Sequence, residues 1–327
     1  KYLDIQRNSF KRLGVRGDWD NPYITLEPEF ESKQVEVFGE MAKNGHIYKG
    51  LRPVYWCPDC ETALAEAEIE YLEDNTTSIN VKFTVKDDKG KFKSITDNLS
   101  DIHFVIWTTT TWTLPGNLAI SLNDEFEYSV VKAGNEYYVI ATELIESVMK
   151  VAAIEEYEVV EKFMGEDLEG ILCKHPFLDR DSVIITGDHV TLEAGTGCVH
   201  TAPGHGAEDF EVCKKYNIDV IVPVDDKGYL TEDAGQFAGL YYEKSNDAII
   251  EQLKQTGNLL ASEKIEHQYP HCWRCKEPII FRATEQWFAS IEGFRNDAIE
   301  AIDTVKWVPD WGKDRITAMV RDRGDWC

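Results

Sequence analysis

What the 327-residue chain lacks narrows its class before any motif is considered. It has no run of eighteen apolar residues and no secretory leader at its start, so a soluble, cytoplasmic protein without membrane partners is expected. Positive charge is scarce: 34 Lys and Arg stand against 59 Asp and Glu, a formal net charge of -25. A free-standing nucleic-acid binder needs clustered cations to neutralise phosphate, so any RNA contact must be local or helped by parts outside the chain. Eight cysteines are too few and too uneven for a secreted disulfide framework in a chain this long. Internal repeats and low-complexity tracts are also missing. The remainder, 43% hydrophobic and 28% charged, is ordinary globular composition, enough for two or three domains with real cores. The chain opens on Lys1 without Met and closes on Cys327 after a charged run, and we expect a monomeric piece of something longer.

Periodicity and turn signals predict a β-rich middle decorated by helices, a mixed α+β fold. Strands are expected at residues 78–85, 104–107, 128–132, 137–141, 183–186 and 220–224, where β-branched or aromatic residues are bounded by turn formers. Helices are expected at 29–44, 143–153, 244–255 and 297–302, the first stopped by Gly45 and the third by Gly257. Residues 1–23 give a mixed pattern ending in the turn-like GDWDNP, and 313–323 a mixed basic and acidic one. The Glu-rich stretch from Glu143 to Glu169 reads as a solvated face. The organisation is nested: residues 1–77 and 261–327 form a base that encloses a middle domain, 78–260.

Four cysteines carry the first chemical signal. Cys57 and Cys60 make one CxxC turn, Cys272 and Cys275 another, and two such turns supply the four thiolates of a closed tetrahedral site. Zinc is the first choice because it takes sulfur ligands without redox chemistry. The gap between the turns is longer than in an ordinary zinc ribbon and makes sense if a whole domain is inserted between the halves. Redox pairs or plain buried cysteines are the competing readings. Cys173, Cys198, Cys213 and Cys327 have no partner spacing.

The second signal is split between two distant stretches. GTGCVHTAPGHGAEDF, from Gly195 to Phe210, predicts a strand through Cys198 and Val199, a turn over 202–206 and a helix opening near Ala207. In that geometry His200 and Asp209 face one pocket from opposite sides. Each has a plainer reading, a hydrogen-bonded core histidine and a helix-dipole partner. The other stretch, WTTTTWTLPGN from Trp107 to Asn117, puts four threonines in a row after an apolar strand, and not all of them can be core without burying unpaired hydroxyls. An exposed edge strand is the plainer reading here. No Ser-His-Asp or Cys-His arrangement is visible, so a bound water is the expected nucleophile.

These two motifs closely resemble the editing-site motifs of the class I isoleucyl-tRNA synthetases. GDWDNPY, LRPVYWCPDCETALAEAEIEY and HCWRCKEPIIFRATEQWF resemble the same family's flanking segments, so the likeness covers nearly the whole chain. APGHG and the His200–Thr201 pair point to the isoleucine branch rather than to the valine and leucine enzymes. The family's ATP-binding signatures, HIGH and KMSKS, are missing, which implies the connective editing insertion alone, a barrel-like editing core set into a zinc-ribbon-containing base. ATP would then be used only by the full-length parent, and the partners would be the rest of that parent and a tRNA(Ile) 3′ end carrying valine.

The resemblance also implies roles. A pocket that accepts isoleucine rejects valine by one methylene only, about 1–3 kcal/mol, and this family is the standard illustration of that limit. The implied reaction is hydrolysis of the valyl-tRNA(Ile) ester, with valyl-adenylate as an open second substrate. Asp209 corresponds to the anchor of the substrate α-ammonium and His200 to the size gate against isoleucine. Thr108, Thr109, Thr110 and Thr113 correspond to a hydroxyl wall around the terminal adenosine and the water, and Asn117 to a further polar contact. Thr111 departs from the pattern, standing where proline is frequent, and His205 reads as structural. The alternatives are an inert zinc-stabilised tRNA-positioning module and an editing domain of the valine or leucine type.

Overall fold

Strands rich in β-branched and aromatic residues form the sheets of the structure, a computed structural model that describes residues 1–327. Its strands are β1 (Ile47–Cys57), β2 (Thr62–Leu64), β3 (Ile69–Asp87), β4 (Ile102–Thr108), β5 (Ala119–Leu122), β6 (Glu127–Ala133), β7 (Glu136–Ala141), β8 (Glu158–Met164), β9 (Leu172–Lys174), β10 (Asp181–Thr186), β11 (Val199–Thr201), β12 (Leu259–Cys272) and β13 (Ile280–Ala289). The helices are α1 (Tyr2–Arg12), α2 (Pro28–Lys43), α3 (Ile145–Val151), α4 (Ala207–Lys215), α5 (Tyr242–Gln255), α6 (Arg295–Thr304) and α7 (Trp311–Arg321). No helix is long and apolar enough to cross a membrane.

The chain divides into two compact units, Leu51–Glu285 and a discontinuous one of Lys1–Gly50 with Gln286–Cys327. The discontinuous unit holds α1, α2, α6 and α7. Of the stretches mixed by sequence pattern, residues 1–23 contain α1 and 313–323 overlap most of α7. Neither helix has a fully buried residue. An apolar cavity of about 560 Å³ in this unit is lined by Phe38, Met41, Trp287 and Trp326 among others.

In the larger unit the strands run β12-β3-β9-β10-β5-β11-β4-β7-β6-β8, and β3 also pairs with β4. That extra pairing closes β3, β9, β10, β5, β11 and β4 into a barrel, with β12 and the β7-β6-β8 group as extensions. The barrel-like core expected from sequence is therefore present. Ile79, Val81 and Phe83 of β3 point inward with Phe104, Ile106, Ile120 and Leu122, all fully buried. Each such side chain contributes about 1.5–3 kcal/mol by leaving water.

β3 and β12 pair antiparallel from Ile69↔Cys272 to Val81↔Leu259. This ladder is continuous from the cysteine turns into the barrel, so the division falls at 50/51 and 285/286 rather than at 77/78 and 260/261. The cysteine turns and the barrel share one unit. Residues 220–224 do not form the expected strand; only a single bridge joins Val224 to Leu230. Pro223 has no N–H to offer a ladder, its carbonyl accepts from the Thr231 N–H, and that of Val224 accepts from Arg282 Nε. Within the solvated Glu-rich stretch, the exposed β8 adds an edge strand to β6.

Gly197 fixes the approach to the turn that carries the motif. Its φ is +74°, and a Cβ there would lie 2.4 Å from the Ala141 Cβ. Gly197→Ala is expected to lower stability by roughly 2 kcal/mol or more, through the left-handed backbone and overpacking together. Thermal denaturation would read this as a fall of about 4–8 °C, and an unchanged midpoint would show that β7 yields instead.

Candidate active site

Two local conformations bring the distant motifs together. After β4 the chain turns at once, Thr110 N–H donating to Thr108 Oγ1 at 3.0 Å, and residues Thr111–Gly116 form a 3-10 turn. Neighbours pin this turn: His175 Nε2 donates to the Leu114 carbonyl at 2.9 Å and Arg180 Nη2 to that of Pro115. β11 lies between β4 and β5, Val199 opposite Trp107 and His200 opposite Ile120. His200 therefore emerges beside the threonine turn.

Both nitrogens of the buried His200 ring are engaged. Asn117 Nδ2 donates to Nδ1 at 2.8 Å, so the ring proton sits on Nε2, which donates to Thr113 Oγ1 at 3.0 Å. Thr113 passes the direction on, donating to the Thr110 carbonyl at 2.8 Å. Asn117 is oriented in turn, its Nδ2 also donating to the Ala119 carbonyl at 2.9 Å and its Oδ1 accepting from Ser182. Burial pushes the His200 pKa down to about 3, helped by His205. The imidazole is thus neutral and fixed, with no lone pair free to take a proton.

A cavity of about 350 Å³ opens in front of this ring. Trp107, Thr108, Thr109 and His200 line one part of it, and His189 and Glu193 belong to the loop opposite. Of the residues singled out by sequence, Thr108, Thr109 and His200 meet here. Thr113 and Asn117 stand behind the ring and hold it rather than lining the cavity. Thr110 contributes its carbonyl to Thr113 and otherwise lines a separate pocket of about 70 Å³ with Trp112, Tyr242 and Asn246.

Asp209 does not line the 350 Å³ cavity. It sits in the first turn of α4, where its Oδ2 accepts from the Ala202 N–H at 2.8 Å. Burial pushes its carboxyl up to about 7, opposed by that amide and aided by the neighbouring Glu208. The residue as a whole is only half-buried, so solvent moderates this effect. The expectation that His200 and Asp209 face one pocket from opposite sides is not met in this cavity, where only His200 is on the wall and the Asp209 carboxylate is tied to the Ala202 amide. Its Oδ1 has no partner within the protein.

His205 is buried and donates from Nδ1 to the Phe281 carbonyl at 3.0 Å. The ring packs edge-on against Trp112 at 4.8 Å, which fits a structural role. Sequence reading did not single out His189, Glu193, Ser182, His175 or Arg180. The first two lie just before Gly195, where the glycine-rich signal begins; the others act from strands and turns that no spacing links to the motifs.

At the other end of the β3–β12 ladder the sulfurs of Cys57, Cys60, Cys272 and Cys275 lie within 4.8 Å of one another. The Cys57 and Cys275 sulfurs are 3.4 Å apart. Four sulfurs at about 2.3 Å from a tetrahedral zinc would be separated by about 3.8 Å, so this donor set fits a thiophilic ion of that size.

All of the chain, residues 1–327, matches the family model for class I tRNA synthetases (I, L, M and V), and the chain belongs to that family. It is 67% identical over 326 residues to the isoleucine--tRNA ligase of Caldicellulosiruptor bescii, covering 100% of this chain and 35% of that protein. It is 64% identical over 325 residues to the isoleucine--tRNA ligase of Thermoanaerobacter pseudethanolicus, covering 99% and 35%. The expected likeness to the isoleucine enzymes is borne out, and the chain spans about a third of the length of these curated relatives. Among solved structures, the P. knowlesi cytosolic leucyl-tRNA synthetase editing domain aligns with a TM-score of 0.44 at 11% identity, over 57% of this chain and 96% of that one.

Proposed function

We propose that this chain is the editing part of an isoleucyl-tRNA synthetase and hydrolyses the ester of valyl-tRNA(Ile). The observation that carries the reading is the His200 ring, held at both nitrogens and set against a cavity walled by Thr108 and Thr109. A ring so committed supports a fixed size gate and not a general base. Water is the nucleophile. The Thr108 and Thr109 side chains, with Thr110 beside them, are assigned to orient that water and the terminal adenosine. Thr113 and Asn117 are assigned to keep His200 in place. Asp209 is assigned to accept the substrate α-ammonium through its unpartnered Oδ1, a charge-assisted contact. ATP would serve only the parent enzyme, whose remaining parts and tRNA(Ile) are the partners. The 327-residue chain given matched valyl- and isoleucyl-tRNA(Ile) should release valine and spare isoleucine; release of neither would leave a positioning module.

We assign the four cysteines to one structural zinc. Bound there, it would tie the two turns together and take no part in the reaction. Metal analysis of freshly purified, unchelated protein is expected to give one zinc per chain. A content well below one that zinc reconstitution cannot restore would remove the assignment.

A further inference from the structure

A second cavity, of about 390 Å³, shares a wall with the first: Trp107, Glu193, Ala194 and Gly195 line both. Its floor is the outer face of the barrel. Along β3, Ile79 and Val81 point into the core, so the pleat turns Ser78 and Asn80 outward, and both line this cavity. Asn80 is the direct cross-strand neighbour of Trp107, and Ser78 of Glu263. Most of Asn80 is covered, but its side-chain amide lines this cavity and makes no hydrogen bond within the protein, so it is open to a ligand.

The other lining groups define what can enter. Glu143, Glu193 and Glu263 bring carboxylates, and no Lys or Arg lines the space. Lys82, the next outward residue on β3, is held by Glu136 at 2.7 Å. A phosphate is therefore excluded, because anions would face carboxylates with no counter-charge. Trp107 adds an aromatic ring, and Leu144, Val148 and Ile265 add apolar surface. A flat, neutral group with amine donors on its edge suits such a lining.

We propose that this cavity is a subsite for a nucleobase with an exocyclic amine, the cytosine that precedes the terminal adenosine at a tRNA 3′ end. The assignment rests on the editing reading for the identity of its RNA. Consecutive nucleotides then occupy consecutive cavities on either side of Trp107. Cytosine offers its N4 amine to Asn80 Oδ1 or a glutamate, and its N3 and O2 accept from Asn80 Nδ2. Uracil presents the reverse pattern, a carbonyl where the amine stood, and that carbonyl would meet the carboxylates.

The test titrates the 327-residue chain with labelled, non-acylated tetranucleotides ending in CCA, in CUA, and in CC followed by purine riboside, read by fluorescence anisotropy. The native chain is expected to bind the CCA end at least about fivefold more tightly than the CUA end. Asn80→Ala should weaken CCA to the level of CUA and abolish the difference. Asn80→Asp, equal in size but unable to donate, carries the same expectation should the alanine variant fail to fold. Equal affinity for CCA and CUA, a difference that survives both variants, or no binding of either end would overturn the subsite. So would a loss caused by the purine riboside that the Asn80 variants remove, since the terminal base would then occupy this cavity. Hydrolysis of valyl-tRNA(Ile), measured separately, distinguishes the two readings. A chain that tells C from U but releases no valine keeps the subsite and loses the editing reading, and the converse result does the opposite.

Discussion

His200→Ala is expected to make correctly charged isoleucyl-tRNA(Ile) a substrate while valyl-tRNA(Ile) is still hydrolysed. The ring cannot withdraw from a larger side chain, because Asn117 and Thr113 hold it at 2.8 and 3.0 Å. Overlap with a fixed wall costs about 1–3 kcal/mol, so its removal should raise isoleucyl-ester hydrolysis by roughly tenfold or more. The two partners lose little, since Thr113 still donates to Thr110 and Asn117 to Ala119. A general base would respond differently: its loss should slow both esters together, typically by about a hundredfold or more. Single-turnover deacylation of both esters decides, and equal slowing with no gain on the isoleucyl one would place His200 in the chemistry.

For Asp209 we expect both a loss and a pH signature. Asp209→Ala removes a charge-assisted contact worth about 1.5–3 kcal/mol, so deacylation should fall at least about tenfold. Asp209→Asn keeps an oxygen for the Ala202 N–H and loses only the charge, which separates substrate binding from folding. Because burial pushes the carboxyl up to about 7, the charged form that an ammonium needs grows between pH 6 and 7.5. KM for the valyl ester should fall over that window in the native chain and stay flat in Asp209→Asn. Stability has the opposite sign. An acid whose pKa is raised by folding contributes stability that is complete below its unfolded value near 4 and is lost as pH rises through about 7. Denaturant titrations at pH 6 and 8 should show the native chain losing ground to Asp209→Asn, and a pH-independent KM in the native chain would remove the ammonium contact.

Much of the fold was legible because its strands are runs of β-branched and aromatic residues bounded by turn formers. Residues 104–107 and 137–141 differ from β4 and β7 by one or two residues at most. Val220 to Val224 obeys the same composition rule and fails, since pairing depends on free N–H and C=O groups that composition does not count. The threonines show a similar limit. Sequence marked all of them as polar, but only the 3-10 turn decides that Thr108 and Thr109 face the cavity while Thr113 turns to His200. Asp209 was located to a helix start correctly, and its attachment to Ala202 depends on a turn conformation that spacing does not specify. Ser182 and His175 reach the site through long-range contacts, so no local signal could mark them.

The ladder between β3 and β12 has a consequence for the order in which the molecule assembles. Cys57 and Cys275 are 218 residues apart in sequence, and joining them through a metal in an unfolded chain would require closing that whole loop. The chain entropy lost would be roughly 5 kcal/mol. Once the barrel has formed and the ladder has zipped outward to the Ile69↔Cys272 pair, the two turns are already neighbours and almost none of that loss remains. A metal bound at these cysteines would therefore be captured last, by a scaffold that forms ahead of it. Chelation would then fray the ladder from the cysteine end inward, and hydrogen exchange would quicken at Ile69 well before it does at Val81.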